Sequence, residues 1–151
     1  MTKIYETAAQ LADTKGAVQG PSDWLTVTQE MIDKFADASG DFQWIHCDPE
    51  RVAREVPGGK TIAHGFLILS LISTLQPQIY VVNSKSILNV GLDRLRFLAS
   101  VPVGSRIRLL MEVLESEAKG GGLRITGRAT FEIEGQEKPA MVADLILLYF
   151  D

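Results

Sequence analysis

Apolar positions recur with a helical period in the first part of the chain and alternate with polar positions in the second part. The change lies near residue 85. Residues 4–13 fit a short amphipathic helix, and Trp24–Val27 fits a brief strand. The next helix is better marked, because Thr28 is a good N-cap and Gly40 can end a helix in the left-handed conformation. Its apolar face consists of Met31, Ile32, Phe35 and Ala36.

Two more helices are predicted on either side of a break in the chain. Asp48 is a suitable N-cap and Pro49 is favoured at the first helical position, so residues 48–56 should form a short helix. The Pro-Gly-Gly sequence at 57–59 then interrupts the chain.

The third helix begins near His64 or Gly65 and reaches about Leu75. Its residues are apolar on nearly every side of the helix. A helix of this kind is stable only when other elements surround it, so we expect it to be enclosed by the rest of the protein.

The second part of the chain predicts strands joined by short turns, which favours antiparallel pairing. Alternation is clear at 106–109 and 130–134, where charged and apolar residues take opposite faces. A sheet packed on a buried helix predicts an α+β domain. The predicted strands are Ser86–Leu92, Arg94–Ala99, Arg106–Glu117, Gly122–Glu134 and Pro139–Phe150.

Length and composition favour one compact domain over residues 1–151, because two domains of this total length would each be thin. The chain is 46% hydrophobic and 23% charged, which is typical of a globular protein. Its net charge of −4 is spread along the sequence, with no basic patch for nucleic acid and no polybasic arm for a membrane surface. A small-molecule partner is therefore expected.

A cytoplasmic location is expected from three features. Cys47 is the one cysteine, so no disulfide can form within the chain. The amino end lacks the basic and then apolar pattern of a signal peptide. The most apolar stretch, Phe66–Leu75, is much shorter than the ~20 residues that a membrane-spanning helix needs.

Several blocks of sequence carry a resemblance to a known family. The most specific are SGDFQWIHCDPER at 39–51 and TIAHGF at 61–66, and further blocks are NVGLDRLRF at 89–97, VPVGS at 101–105 and KPA at 138–140. Taken in order over nearly the whole chain, these blocks resemble the MaoC dehydratase family. Within the family, the chain is most similar to single-domain (R)-specific enoyl-CoA hydratases and nodulation protein N-like proteins.

The resemblance implies a hot-dog fold, in which an antiparallel sheet wraps around a central helix. It also implies a homodimer formed through the sheets. The expected reaction is the syn addition of water to a trans-2-enoyl thioester of coenzyme A or acyl-carrier protein, giving the (R)-3-hydroxyacyl product. Such proton transfers need no metal or redox cofactor.

The family's site residues map onto this sequence by their motifs. By resemblance, His46 deprotonates the attacking water and Asp41 protonates Cα, or both act on one water. Gly65, at the start of the central helix, would offer its backbone N–H to the enolate oxygen. Ser70 matches a serine that supports the catalytic loop, and His64 is expected to order the loop before the helix.

Gln43 and Trp44 depart from the Asn-Pro that the family commonly has at these positions. Gln43 keeps the amide on a longer arm, and we expect it to support the site. The larger Trp44 changes the shape of the pocket, and therefore the acyl chains that it accepts. The Asp41 and His46 pair is unchanged.

Structural roles remain open for the same residues. Asp41 could cap a turn, and His46 could be a core histidine. Cys47 fits a packing residue better than a nucleophile in an extended segment. Arg94 and Arg96 could be solvated or could contact a coenzyme A phosphate.

Two other kinds of site are disfavoured by the sequence. A two-histidine, one-carboxylate iron site needs residue types that His46, His64 and Asp48 offer, but Asp48 is needed as a helix cap. The segment 58–61 lacks the spacing of a P-loop.

Three classes of function are therefore considered. The leading class is a hydro-lyase, the hydratase described above. The second is a hot-dog thioesterase, and the third is a non-catalytic acyl-thioester binding protein in a pathway like nodulation-factor synthesis. The pairing of Asp41 with His46 favours the first.

Overall fold

The computed structural model describes residues 1–151, which form six helices and eight strands. The helices are α1 (Ala8–Ala12), α2 (Gln29–Ser39), α3 (Trp44–Cys47), α4 (Pro49–Glu55), α5 (Gly65–Ser70) and α6 (Ile72–Ile79). The strands are β1 (Lys3–Tyr5), β2 (Val18–Gln19), β3 (Leu25–Thr26), β4 (Tyr80–Val82), β5 (Ser86–Phe97), β6 (Arg106–Lys119), β7 (Gly122–Ile133) and β8 (Met141–Phe150).

The main sheet is antiparallel, with strand order β2-β6-β7-β8-β5, and β3 pairs with the other end of β6. Alternate residues of its long strands point to one face, where Ile107, Leu109 and Phe131 are fully buried. α6 packs on β6 across this face, and the buried apolar side chains form one large cluster. This arrangement of sheet and central helix confirms the predicted α+β, hot-dog architecture.

Local sequence signals place the helix ends correctly. The Thr28 hydroxyl accepts a hydrogen bond from the N–H of Met31 at 3.2 Å, and Gly40 ends α2 with a φ of 78°. The Asp48 carboxylate accepts from the N–H of Arg51 at 2.9 Å and caps α4. These ends determine where the segment between α2 and α4 begins and finishes.

The predicted helix over residues 4–13 is wrong in its first half. Lys3–Tyr5 is a strand that pairs in parallel with β4, which was not predicted. Helix α1 starts only after Thr7, whose side chain caps it. The backbone pairing with β4, 75 or more residues away in the chain, outweighs the weak helical period of the sequence.

The central helix extends beyond its predicted end, and it is not fully enclosed. It continues to Ile79, with an interruption at Leu71 between α5 and α6. Phe66, Ser70 and Ser73 are exposed, because this side of the helix faces a groove beside β5. Complete enclosure was therefore wrong for a single chain.

The two strands predicted over 86–99 are one strand, β5, with irregular pairing to β8. The register shifts between Asn89 and Gly91 and again between Asp93 and Arg96. Arg94 lies in the second irregularity and has a φ of 53°. Such bulges bend a strand and redirect its side chains, so the alternation of apolar residues is interrupted there as it is at a turn.

None of the six helices is both long and apolar enough to cross a bilayer.

Candidate active site

Asp41 and His46 lie on a short connection between α2 and α4 that folds into the helical turn α3. The Asp41 carboxylate accepts a hydrogen bond from the N–H of Gln43 at 3.2 Å, and the His46 N–H bonds to the Gln43 carbonyl at 3.0 Å. The sequence was interpreted as extended here, which is wrong, because these bonds close a helical turn. The turn brings Asp41 to the same side of the chain as His46.

The His46 ring is oriented by a second segment, the chain just before α5. Its Nδ1 lies 2.6 Å from the carbonyl oxygen of Ile62, while the Ile62 N–H donates to the Ile45 carbonyl at 3.1 Å. A carbonyl oxygen can only accept a hydrogen bond, so Nδ1 carries the proton. Nε2 of the neutral ring then keeps its lone pair, and His46 can act as a base at that atom.

His64 connects the same two segments and is 3% exposed. Its Nε2 donates to the backbone carbonyl of Asp41 at 2.9 Å. Its ring stacks on the His46 ring with centroids 3.9 Å apart, and it also packs near the Phe35 ring with centroids 4.9 Å apart. His64 therefore contacts the loop that carries Asp41, and its ordering of the chain before α5 stays a prediction.

Gln29 is a polar residue beside the site that the sequence analysis missed. Its Nε2 donates to the His46 carbonyl at 2.8 Å, and its Oε1 accepts from the buried Thr61 hydroxyl at 2.5 Å. As the first residue of α2 it looked like an ordinary surface position. Its partners are 17 and 32 residues away in the chain, so no local pattern could have indicated them.

A cavity of about 300 Å³ opens beside His46 and Gly65. Its walls are mostly apolar and come from α3, the chain before α5, α5 itself, the end of β5 with the segment after it, and the residue before β8. The other lining residues are Ile62, Ala63, Ile68, Phe97, Leu98, Ala99, Ser100, Val101 and Ala140. A cavity with one basic group in an apolar wall can hold an acyl chain next to a proton acceptor.

Two predicted supporting side chains do not contact the Asp41–His46 turn within the chain. The Ser70 hydroxyl bonds to the Leu67 carbonyl of its own helix, and Ser70 lies on the groove beside β5. Ser70 follows Gly65 by five residues, and at about 3.6 residues per helical turn its side chain points well away from the direction of Gly65. The Gln43 side chain is exposed, and Gln43 supports α3 through its backbone carbonyl instead.

Arg94 and Arg96 are both exposed on the irregular part of β5. The Arg96 guanidinium donates to the neighbouring Leu95 carbonyl at 2.7 Å. A phosphate contact for either residue stays a prediction.

The Cys47 thiol is held in its protonated form. Burial raises its pKa above the ordinary value, and the carboxylates of Asp33, Asp41 and Asp37 add to this effect. A protonated thiol is a poor nucleophile, which favours the packing role predicted for Cys47.

Asp41, His46 and His64 each place one potential metal-ligand atom within 4.8 Å of the others. A histidine binds a metal in the plane of its ring, but these two rings are stacked with only 25° between their planes. The lone pairs of the two rings therefore lie in separate, nearly parallel planes, which does not suit binding of one ion by both rings. The alternative set with Asp48 is also unsuitable, because that carboxylate caps α4.

Comparison with known proteins places most of the chain in one family. Residues 10–134 match the family described as MaoC like domain. The chain is 48% identical to 3-hydroxyacyl-thioester dehydratase Z of Mycobacterium tuberculosis, over 97% of this chain and 98% of that protein. It is 44% identical to nodulation protein N of Rhizobium leguminosarum, over 90% of this chain and 87% of that protein.

Solved structures show the same fold at lower sequence identity. An Archaeoglobus monoamine oxidase regulatory protein superimposes with a TM-score of 0.79 at 24% identity, covering 100% of this chain and 99% of the other. The HadBC (3R)-hydroxyacyl-ACP dehydratase complex of M. tuberculosis gives a TM-score of 0.72 at 19% identity, covering 90% of this chain and 97% of the other. Together with the sequence matches, these findings show that the chain belongs to the MaoC-like dehydratase family.

Proposed function

We propose that this protein is a hydro-lyase that adds water to trans-2-enoyl thioesters and removes it from (R)-3-hydroxyacyl thioesters. One observation carries the proposal: side-chain atoms of Asp41 and His46 lie within 4.8 Å of each other, and the Ile62 carbonyl leaves Nε2 of His46 free to accept a proton. The 48% identity to a 3-hydroxyacyl-thioester dehydratase supports the same chemistry.

Hydration needs a base for the attacking water and an acid for Cα. We assign the base to Nε2 of His46, because its other ring nitrogen is held by the Ile62 carbonyl. We assign the proton donor for Cα to the Asp41 carboxyl group, either directly or through a shared water. We assign both groups to one side of the substrate, so water adds in the syn sense. The face of the double bond that meets His46 decides the configuration at C3, and we assign the (R) product from the likeness to (3R)-hydroxyacyl-ACP dehydratase.

Gly65 supplies the third element of the proposal. As the first residue of α5 it has a backbone N–H without a partner inside the helix, and this N–H can donate to the thioester oxygen. Charge builds up on that oxygen as the enolate forms, so a donor there lowers the barrier. The acyl chain would lie in the apolar cavity next to Gly65.

His64 supports the site by holding the Asp41 carbonyl, and Gln43 supports it through its backbone. Ser70 lies on the groove beside β5 and would act only if a second chain covered that groove. No metal or redox cofactor enters the proposed reaction, since proton transfer between water, Asp41 and His46 completes it. The thioester belongs to the substrate, carried by coenzyme A or acyl-carrier protein.

We also propose that the protein is a homodimer paired through β5. This strand is at the edge of the sheet, and residues 86–92 contain no charged side chain. Exposed edges of monomeric proteins are commonly protected by charge, so an apolar edge favours pairing with another strand. HadBC is a complex of this fold, which leaves pairing with a related chain as an outcome to test.

The direct test of the reaction is incubation of the purified protein with crotonyl-CoA. Loss of the enoyl-thioester absorbance with formation of (R)-3-hydroxybutyryl-CoA is the expected result. Release of free thiol without hydration would support the thioesterase alternative. If neither hydration nor thiol release occurs with short or long enoyl chains, the binding-protein alternative would be supported.

A further inference from the structure

Phe97 is the last residue of β5 and follows the second irregularity of that strand. The register shifts between Asp93 and Arg96, and Arg94 has a φ of 53°. A bulge of this kind redirects the side chains that follow it. Here the strand end carries the Phe97 ring to the start of α5.

The tip of the Phe97 ring lies against Gly65. A Cβ atom added at Gly65 would be 2.9 Å from Cε1, Cε2 and Cζ of the ring. The ring thus occupies the space that a side chain at Gly65 would need.

Phe97 and Gly65 line the same cavity as His46. The ring is 46% exposed and meets Phe66 edge to face, with centroids 6.0 Å apart. It is therefore a wall residue and not part of the closed core. Small apolar residues, among them Ala99 and Ala140, form other parts of the wall.

The position of the ring has a consequence for substrate shape, which rests on the function proposed above. If the Gly65 N–H holds the thioester oxygen, C2 of the acyl group lies only one carbon away from the held carbonyl group. A substituent on C2 would then meet the ring beside Gly65. We propose that Phe97 is a specificity-determining residue that admits enoyl groups with hydrogen at C2 and disfavours those with a C2 methyl group.

One methyl group in an apolar pocket changes kcat/KM by about 10- to 200-fold. We therefore expect the wild type to prefer crotonyl-CoA over trans-2-methylcrotonyl-CoA by at least about tenfold. Phe97→Ala should bring this ratio toward one, mainly by raising turnover of the branched thioester. Phe97→Leu should give an intermediate ratio, and it retains an apolar side chain should the alanine variant fail to fold.

Leu98→Ala is the matched control. Leu98 is the next residue and lines the same cavity, but the three atoms nearest to a Cβ at Gly65 all belong to Phe97. The control should leave the ratio of kcat/KM for the two thioesters at the wild-type value. An equal ratio in the wild type and Phe97→Ala, or the same change in Leu98→Ala, would overturn the proposal.

Binding without turnover separates this inference from the proposed reaction. Calorimetric titration with butyryl-CoA and isobutyryl-CoA compares an unbranched and a C2-branched saturated acyl group. The wild type should bind butyryl-CoA more tightly, and Phe97→Ala should reduce the difference. A wild type that hydrates no enoyl thioester contradicts the proposed reaction alone. Equal Kd ratios in wild type and variant, or no binding of either thioester, contradict the role of Phe97.

Discussion

Cys47 is adjacent to His46, yet its thiol is not expected to take part in the reaction. Its raised pKa, caused by burial and then by nearby carboxylates, keeps the thiol protonated around neutral pH. We expect Cys47→Ala to hydrate crotonyl-CoA within about twofold of the wild-type rate, since packing changes of this size are usually mild. Ellman's reagent at pH 8 should label the folded protein more slowly than the unfolded protein. Rapid labelling with matching loss of activity would contradict this account.

The site residues that the sequence could predict are those within short motifs. Two family blocks contain Asp41, His46, His64 and Gly65. The side chains of Asp41, His46 and His64 lie together, and His46 and Gly65 line one cavity. Gln29 and Phe97 could not be predicted, because their contacts join residues far apart in the chain.

The element that orders the catalytic turn from outside is the start of α2, where Gln29 holds the His46 carbonyl and the Thr61 hydroxyl. Gln29→Leu removes the amide, so the partly buried His46 carbonyl and Thr61 hydroxyl lose this hydrogen-bond partner. We expect a loss of about 1–3 kcal/mol in the free energy of unfolding and a lower kcat with little change in KM.

Asp33→Ala is the control for that substitution. Asp33 accepts the other hydrogen bond of Gln29 at 2.9 Å, but it is exposed and makes no hydrogen bond to the turn. Urea titration and steady-state kinetics should therefore show little change. If both variants behave alike, or if Gln29→Leu retains full kcat, the proposed orientation of α3 by α2 is wrong.

Elements with local signals were predicted well, and elements that depend on distant pairing were not. Thr28, Gly40 and Asp48 set helix ends through bonds within their own turns. In contrast, β1 exists only because β4 pairs with it, and the irregular β5 follows the register of β8. The pattern of one segment alone does not indicate such pairing with a distant segment.

At the scale of the whole molecule, the apolar edge β5 predicts association through that strand. Light scattering should give about twice the 16.6 kDa mass of one chain for the wild type. Leu88→Lys places a charge on this edge, where Leu88 is 52% exposed, and should shift the protein toward the mass of one chain.

Val18→Lys is the matched change on the other edge of the sheet. Val18 lies on β2 and is 64% exposed, so this variant should remain a dimer. Dissociation of both variants, or of neither, would contradict pairing through β5. The expectation of a fully enclosed central helix was wrong for the same reason, since a single chain leaves the groove beside β5 open.

The central claim is that Asp41 and His46 together add water to an enoyl thioester. The most direct test compares hydration of crotonyl-CoA by the wild type, Asp41→Asn and His46→Gln, after circular dichroism shows that all three are folded. Each positioned acid or base typically contributes ~10²–10⁴-fold, so each variant should lose at least about a hundredfold in kcat. A variant that is folded and hydrates crotonyl-CoA within about tenfold of the wild type would contradict the assignment of that residue.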